Sequence, residues 1–177
     1  MEIPKNKNYI RRLAVVSVMT AIAVICSLTF PMGLTFRIGD TIKLSPVFII
    51  IGLVGNIYGW KEAALVSSLS DLIQGFAFGS ISPLITLVKL LTGICFGLFL
   101  KNSRSIIRIV LCVLTTEIIG SFLLISAILI FRYGAPIFPT MYLRAIQTVI
   151  LIVIEIICLW FLMRVFNLPQ KLKKITG

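Results

Sequence analysis

The chain has 177 residues, 59% of them hydrophobic and 13% charged, with a mean hydropathy of +1.09. A soluble domain of this length cannot hide so much apolar side chain in one core, so the surrounding solvent is read as lipid. The formal net charge of +11 invites a nucleic-acid reading, which the placement of the cations excludes.

A spanning helix takes roughly 20 residues. Apolar segments at 13–29, 46–60, 63–79, 84–100, 106–131 and 141–163 predict an all-α membrane protein, a single compact bundle of six transmembrane helices over 1–177 with basic tails at 1–10 and 168–177. No cleavable signal pattern is expected in the first segment, which lacks a small-x-small site. That segment instead carries small residues four apart, Ser17 with Ala21 and Ala23 with Ser27. Such spacing lets a second helix approach closely, either inside the bundle or from a partner subunit. The second and third segments hold Gly52, Gly55, Gly59, Gly75 and Gly79 and barely reach spanning length, whereas the fifth is long enough to cross with tilt. Connections at about 30–45, 78–84 and 132–140 fall on one side of the membrane. Their mixture of apolar, aromatic and proline residues suits lids over a pocket.

The cations sit at the segment ends. Lys5, Lys7, Arg11, Arg12, Lys61, Lys101, Arg104, Arg108, Arg164, Lys171, Lys173 and Lys174 share one side, leaving Arg37, Lys43 and Arg132 on the other. By the positive-inside rule both termini are cytoplasmic. The basic excess is therefore a topology signal.

Five ionisable residues lie inside apolar segments: Asp71, Lys89, Glu117, Arg144 and Glu155. Each costs about 2.5–3.5 kcal/mol at mid-membrane, on the order of 12–18 kcal/mol for the set. They must face the bundle interior and pair there or meet a polar ligand. Ser67, Ser70, Asp71 and Gln74 form a stripe on the third segment; Thr86, Lys89, Gly93 and Gly97 form one on the fourth; Arg144, Gln147, Thr148 and Glu155 share a face of the sixth. At about 1.5 Å of rise per residue, Asp71, Gln74, Lys89 and Arg144 reach one level beneath the outer connections and are the expected ligand contacts. Glu117 and Glu155 lie deeper and are expected to be packing partners.

No histidine occurs, and Cys26, Cys95, Cys112 and Cys158 are isolated in apolar segments, so neither a metal site nor a redox pair is expected. The phosphate loop G-x-x-x-x-G-K-S/T, HExxH and G-x-S-x-G are all missing. No enzyme activity, ATP hydrolysis or cofactor is expected of the chain.

Several stretches resemble the substrate-binding S components of energy-coupling factor (ECF) vitamin transporters. Arg37-Ile-Gly-Asp-Thr-Ile-Lys-Leu-Ser-Pro46 precedes a glycine-rich helix ending at Tyr58-Gly59, Ser70-Asp-Leu-Ile-Gln-Gly75 follows, and Pro83-Leu-Ile-Thr-Leu-Val-Lys-Leu-Leu-Thr-Gly93 leads to Gly97. The resemblance covers most of 10–165. The folate-specific group is most similar, through the Arg37 loop, Thr86-Leu87, Tyr133-Gly134 and Leu143-Arg144-Ala-Ile-Gln147, while Gly39-Asp40 and Thr86-Leu-Val-Lys89 resemble a riboflavin-type group as well.

The resemblance implies a bacterial plasma-membrane protein that binds a water-soluble vitamin, folate first, with riboflavin or a thiamine precursor as alternatives. Its partners would be a membrane coupling subunit and two ATPase subunits, and the whole protein would topple in the bilayer to release its cargo. Arg37, Lys43, Lys89 and Arg144 would meet anionic or carbonyl groups of the ligand, with Gln74 and Gln147 beside them. Asp71 or Asp40 would accept hydrogen bonds from a pterin-like ring, and Tyr133 and Phe138 would stack on it. Ser17 and Ala21 would dock on the coupling subunit. A competing reading is a stand-alone secondary transporter in which Asp71, Glu117 and Glu155 relay protons or cations.

Overall fold

The computed structural model describes residues 5–28, 36–38, 42–79, 82–102 and 105–165; the side chains of 5–9, 11, 36–38, 42–44, 133 and 165 lie outside that description. Six helices are seen among the described residues. α1 spans Lys5–Ser27, α2 Val47–Ile57, α3 Trp60–Ala77 and α4 Pro83–Leu100. α5 starts as α-helix over Ile106–Thr115, widens to π-helix over Thr116–Ile125 and returns to α-helix over Ser126–Tyr133. α6 runs over Ile137–Trp160 and continues as π-helix over Phe161–Val165.

Three helical stretches, Pro83–Leu100, Ile106–Arg132 and Ile137–Arg164, are long and apolar enough to cross a membrane. Large side chains such as Leu13, Leu87, Leu98, Ile107, Phe131, Val149 and Ile157 are exposed on the outside, the pattern of a surface that faces lipid. Several helix hydroxyls are satisfied locally: Thr20 Oγ1 donates to the Val16 carbonyl at 2.8 Å on α1 and Thr116 Oγ1 to the Cys112 carbonyl at 2.9 Å on a spanning stretch, the i−4 back-bond that lets a polar residue sit in an apolar helix.

α2 has 11 residues, about 16 Å of helix, too little to cross. It is buried almost continuously from Ile50 to Asn56 because it lies at the centre of the bundle against α1, α3, α4 and α6. Glycines permit this. Gly55 faces Gly97 with room for nothing between them, since a Cβ on Gly55 would lie 3.1 Å from Gly97 Cα. A Cβ on Gly93 would lie 2.6 Å from the Ala63 carbonyl oxygen. The stripe read as Thr86, Lys89, Gly93 and Gly97 thus divides: its first half is polar lining, and its second half is the seam on which α3 packs.

The α2–α3 turn passes through Gly59 at φ 102°, a conformation that favours glycine. Asn56 Nδ2 donates to the Leu100 carbonyl at 2.6 Å and the Asn102 amide donates to the Asn56 carbonyl at 3.1 Å, which ties this turn to the end of α4. At the same end Arg12 pairs with Glu62 at 2.5 Å and sits over the Tyr58 ring. The driest packing lies there too, with Phe96, Leu100, Ile109, Leu159 and Met163 fully buried.

Two connections differ from the sequence expectation. Within 30–45, three-residue strands β1 (Phe36–Ile38) and β2 (Ile42–Leu44) pair antiparallel with Arg37 opposite Lys43, and β2 runs beside α6. The expected loop at 132–140 shrinks to 134–136, because Gly134 ends α5 in the left-handed conformation at φ 65° and Pro136 caps α6. Pro139 is then in the first turn of α6, where proline breaks no helical hydrogen bond.

Candidate functional site

Opposite the dry end the helices separate around a cavity of about 330 Å³, within the ~300–1,000 Å³ range of ligand pockets. Residues from each of the three polar stripes line it, although Thr148, Gly93 and Gly97 do not. Ser67, Ser70, Asp71 and Gln74 come from α3, Thr86 and Lys89 from α4, and Arg144, Gln147 and Glu155 from α6. Phe48, Phe78, Ile85, Phe96 and Leu151 supply apolar wall. Arg144 and Glu155 are eleven residues apart on one helix, so the cavity extends about 16 Å along α6.

Hydrogen bonds hold the upper wall. Thr86 Oγ1 donates to Asp71 Oδ2 at 2.8 Å, joining α4 to α3. Gln74 Nε2 donates to the Ser27 carbonyl at 2.6 Å, joining α3 to α1. Ser67 Oγ donates to the Lys89 carbonyl at 2.7 Å. Serine and threonine close the α3–α4 contact here, while glycine closes it further down.

The deep part differs from expectation. Glu117 and Glu155, expected to be packing partners away from the ligand level, both line the cavity and are 9% and 5% exposed. Lys89 is near enough to interact electrostatically with both, and Arg144 with Glu117. Yet no ion pair within 4 Å forms among these four in the described structure. The Oε2 atoms of Glu117 and Glu155 and the Nε of Arg144 have no hydrogen-bond partner among the described residues.

The π-helical stretch is the reason Glu117 arrives. From α5 the cavity receives Glu117, Ser121, Ile125 and Leu129, each four residues after the last. In a regular α-helix every four-residue step advances by about 40°, so three steps would turn the last residue off the face by about 120°. The wider turns of the π-helix, closed by i→i+5 bonds, drift the other way and keep the four together. Ser121, which interacts with the Glu117 carboxylate, was missed for that reason. A four-residue polar spacing across Glu117 and Ser121 was its visible signal.

The remaining expected contacts fare differently. Phe138 is 90% exposed on the first turn of α6 and is not among the residues that line the cavity, because the shortened connection places it on a helix instead of a lid. Asp40 lies outside the described residues, as do the side chains of Arg37, Lys43 and Tyr133. Ser17 and Ala21 are exposed on α1, where Ser17 Oγ donates to the Leu13 carbonyl at 2.9 Å. Among the described residues no cluster of three or more His, Cys, Asp or Glu could hold a metal ion.

A family profile described as "ECF transporter, substrate-specific component" matches residues 11–170. No curated protein matches the sequence. Among solved structures, a crystal structure of FolT bound with folic acid superposes with a TM-score of 0.78 at 25% identity, covering 87% of this chain and 94% of that one. The profile spans nearly the whole helical bundle and its cavity, and that family is made of membrane-embedded transporter components that bind substrate, with no known enzyme class among them. With six helices around one polar cavity, this chain belongs to the ECF transporter substrate-specific components.

Proposed function

We propose that the chain is a high-affinity membrane binding subunit for vitamin uptake, with folate as its ligand, and that it delivers folate to an ECF module of one coupling subunit and two ATPase subunits in a bacterial plasma membrane. The observation that carries this reading is the cavity itself: a polar well with aromatic walls in a fold shared with a folic acid-bound FolT. Folate has a flat ring with hydrogen-bonding edges and an anionic tail. Phe48, Phe78 and Phe96 offer apolar surface to such a ring, and Asp71, Gln74, Lys89, Arg144 and Gln147 offer partners to its edges. Arg37 and Lys43, opposed in the β1–β2 hairpin, are the proposed partners of the tail carboxylates. The distribution of lysine and arginine supports termini in the cytoplasm and a cavity that opens outward.

Purified chain is expected to bind folic acid at one site, measured by titration calorimetry, and excess riboflavin or thiamine should not displace it. Absence of folate binding, or displacement by either competitor, would overturn the assignment. Uptake by the chain alone in liposomes under a proton or sodium gradient would favour a secondary transporter instead.

The face of α1 carrying Ser17 and Ala21 is the proposed contact for the coupling subunit. Ala21→Trp is expected to leave folate affinity unchanged and to lower ATP-driven uptake by the assembled transporter roughly tenfold or more, since overpacking a close helix contact costs about 1–3 kcal/mol. Equal uptake by the variant and the parent would remove α1 from the interface.

A further inference from the structure

We propose that the buried acid pair Glu117 and Glu155 determines which heterocycle the cavity accepts, by requiring a ring edge that presents two adjacent N–H donors. The inference rests on the reading of the chain as a folate-binding subunit and adds the residues that set its specificity.

Both carboxylates come from facing helices, line the deep part of the cavity and keep one oxygen without a hydrogen-bond partner among the described residues. Buried acceptors of this kind strongly favour a ligand that supplies donors, because an unmet buried polar group costs more than an average hydrogen bond gains. Lys89 faces both carboxylates and Arg144 faces that of Glu117, with no ion pair within 4 Å closed among them in the described structure. These cations offset the formal charge of the acids, so the deep end suits a neutral polar group and leaves an anionic tail nearer the hairpin.

The 2-amino-4-oxopteridine edge of folic acid carries an amino N–H next to a ring N–H, two parallel donors that match carboxylate acceptors. A ring bearing a carbonyl in place of the amino group turns an acceptor toward the acids. Flavins present such an edge, a single N–H between two carbonyls. The acid pair therefore discriminates by leaving like-for-like groups opposed, the situation in which a hydrogen-bonding site rejects analogues most strongly.

The test is displacement of folic acid from purified protein by pterin and by lumazine, which carries a carbonyl in place of the 2-amino group and a proton on N1, so that an acceptor replaces the donor beside the N3 proton. Pterin should displace at roughly tenfold to hundredfold lower concentration than lumazine, the scale of one or two charge-assisted hydrogen bonds. Glu117→Gln or Glu155→Gln, which keeps shape but replaces one acceptor by a donor, should narrow that ratio to within about threefold. A purely packing role would weaken both ligands equally. The parent comparison needs no variant and so stands even if a substitution fails to fold. Folic acid binding with equal displacement by the two rings, failure of pterin to displace, or an unchanged ratio in both variants would overturn the inference and leave the folate reading intact. Absence of folic acid binding would overturn both.

Discussion

Lys89→Met is expected to destabilise the ligand-free protein by about 1–3 kcal/mol, the scale on which a cation couples to neighbouring buried acids, and to abolish measurable folate binding. Lys89 is the cation that interacts with both Glu117 and Glu155, whereas Arg144 interacts with Glu117. Without it Glu155 loses its neighbouring cation and Glu117 keeps only Arg144. The sign of the effect can be separated from simple loss of packing by the double variant Lys89→Met with Glu155→Gln. That change removes one charge of each sign, so a large part of the lost stability should return. Neighbouring charges couple by about 0.5–3 kcal/mol when they interact, and unfolding monitored in detergent resolves such a difference. Strictly additive losses in the two single variants would show that Lys89 does not balance the acids.

Gly97→Ala should prevent the bundle from closing. The new Cβ would lie 2.1 Å from Trp60 Cα and 2.5 Å from Trp60 N, and both are backbone atoms that cannot swing aside. Overpacking of side chains costs about 1–3 kcal/mol, and a clash with backbone lies at or above the top of that range. The variant is expected to accumulate poorly in membranes and to unfold well below the parent. Gly120→Ala is the contrast. Its Cβ would meet Thr92 Oγ1 at 3.4 Å and Val88 Cγ1 at 3.8 Å, ordinary contacts, and alanine favours helix by up to about 1 kcal/mol over glycine. Stability within about 1 kcal/mol of the parent is expected there. Similar losses in both variants would mean that helix flexibility, not the close approach of α3 to α4, is what Gly97 serves.

Much of the architecture was legible because the signals that encode it are local. Apolar segment length marks a helix for lipid whatever its neighbours, and the positions of Asp71, Lys89 and Arg144 inside such segments already imply an interior that is polar somewhere. Periodicity then brought Ser67, Asp71 and Gln74 to one face and Arg144 with Gln147 to another, and both faces do line the cavity. Depth along the helices set Glu117 and Glu155 apart from the ligand level, and Ser121 was not singled out, yet all three line the cavity. On α5 this follows from the 3.6-residue repeat failing across Thr116–Ile125. Proline likewise misled at 136 and 139: its fixed φ suits a loop and a helix's first turn equally well, and only the seating of α6 chose between them.

The sequence by itself determined the solvent, the six helices, the family resemblance and the residues with chemistry to offer, because each follows from composition or from spacing along a single helix. The tertiary structure alone decided which of those residues meet. Convergence of Asp71, Lys89, Glu117, Arg144 and Glu155 on one cavity depends on how closely α3 can approach α4 at Gly93 and Gly97, and on a π-helical turn that rotates α5 inward. Those are contacts between segments far apart in the chain, and no periodicity within either segment encodes them.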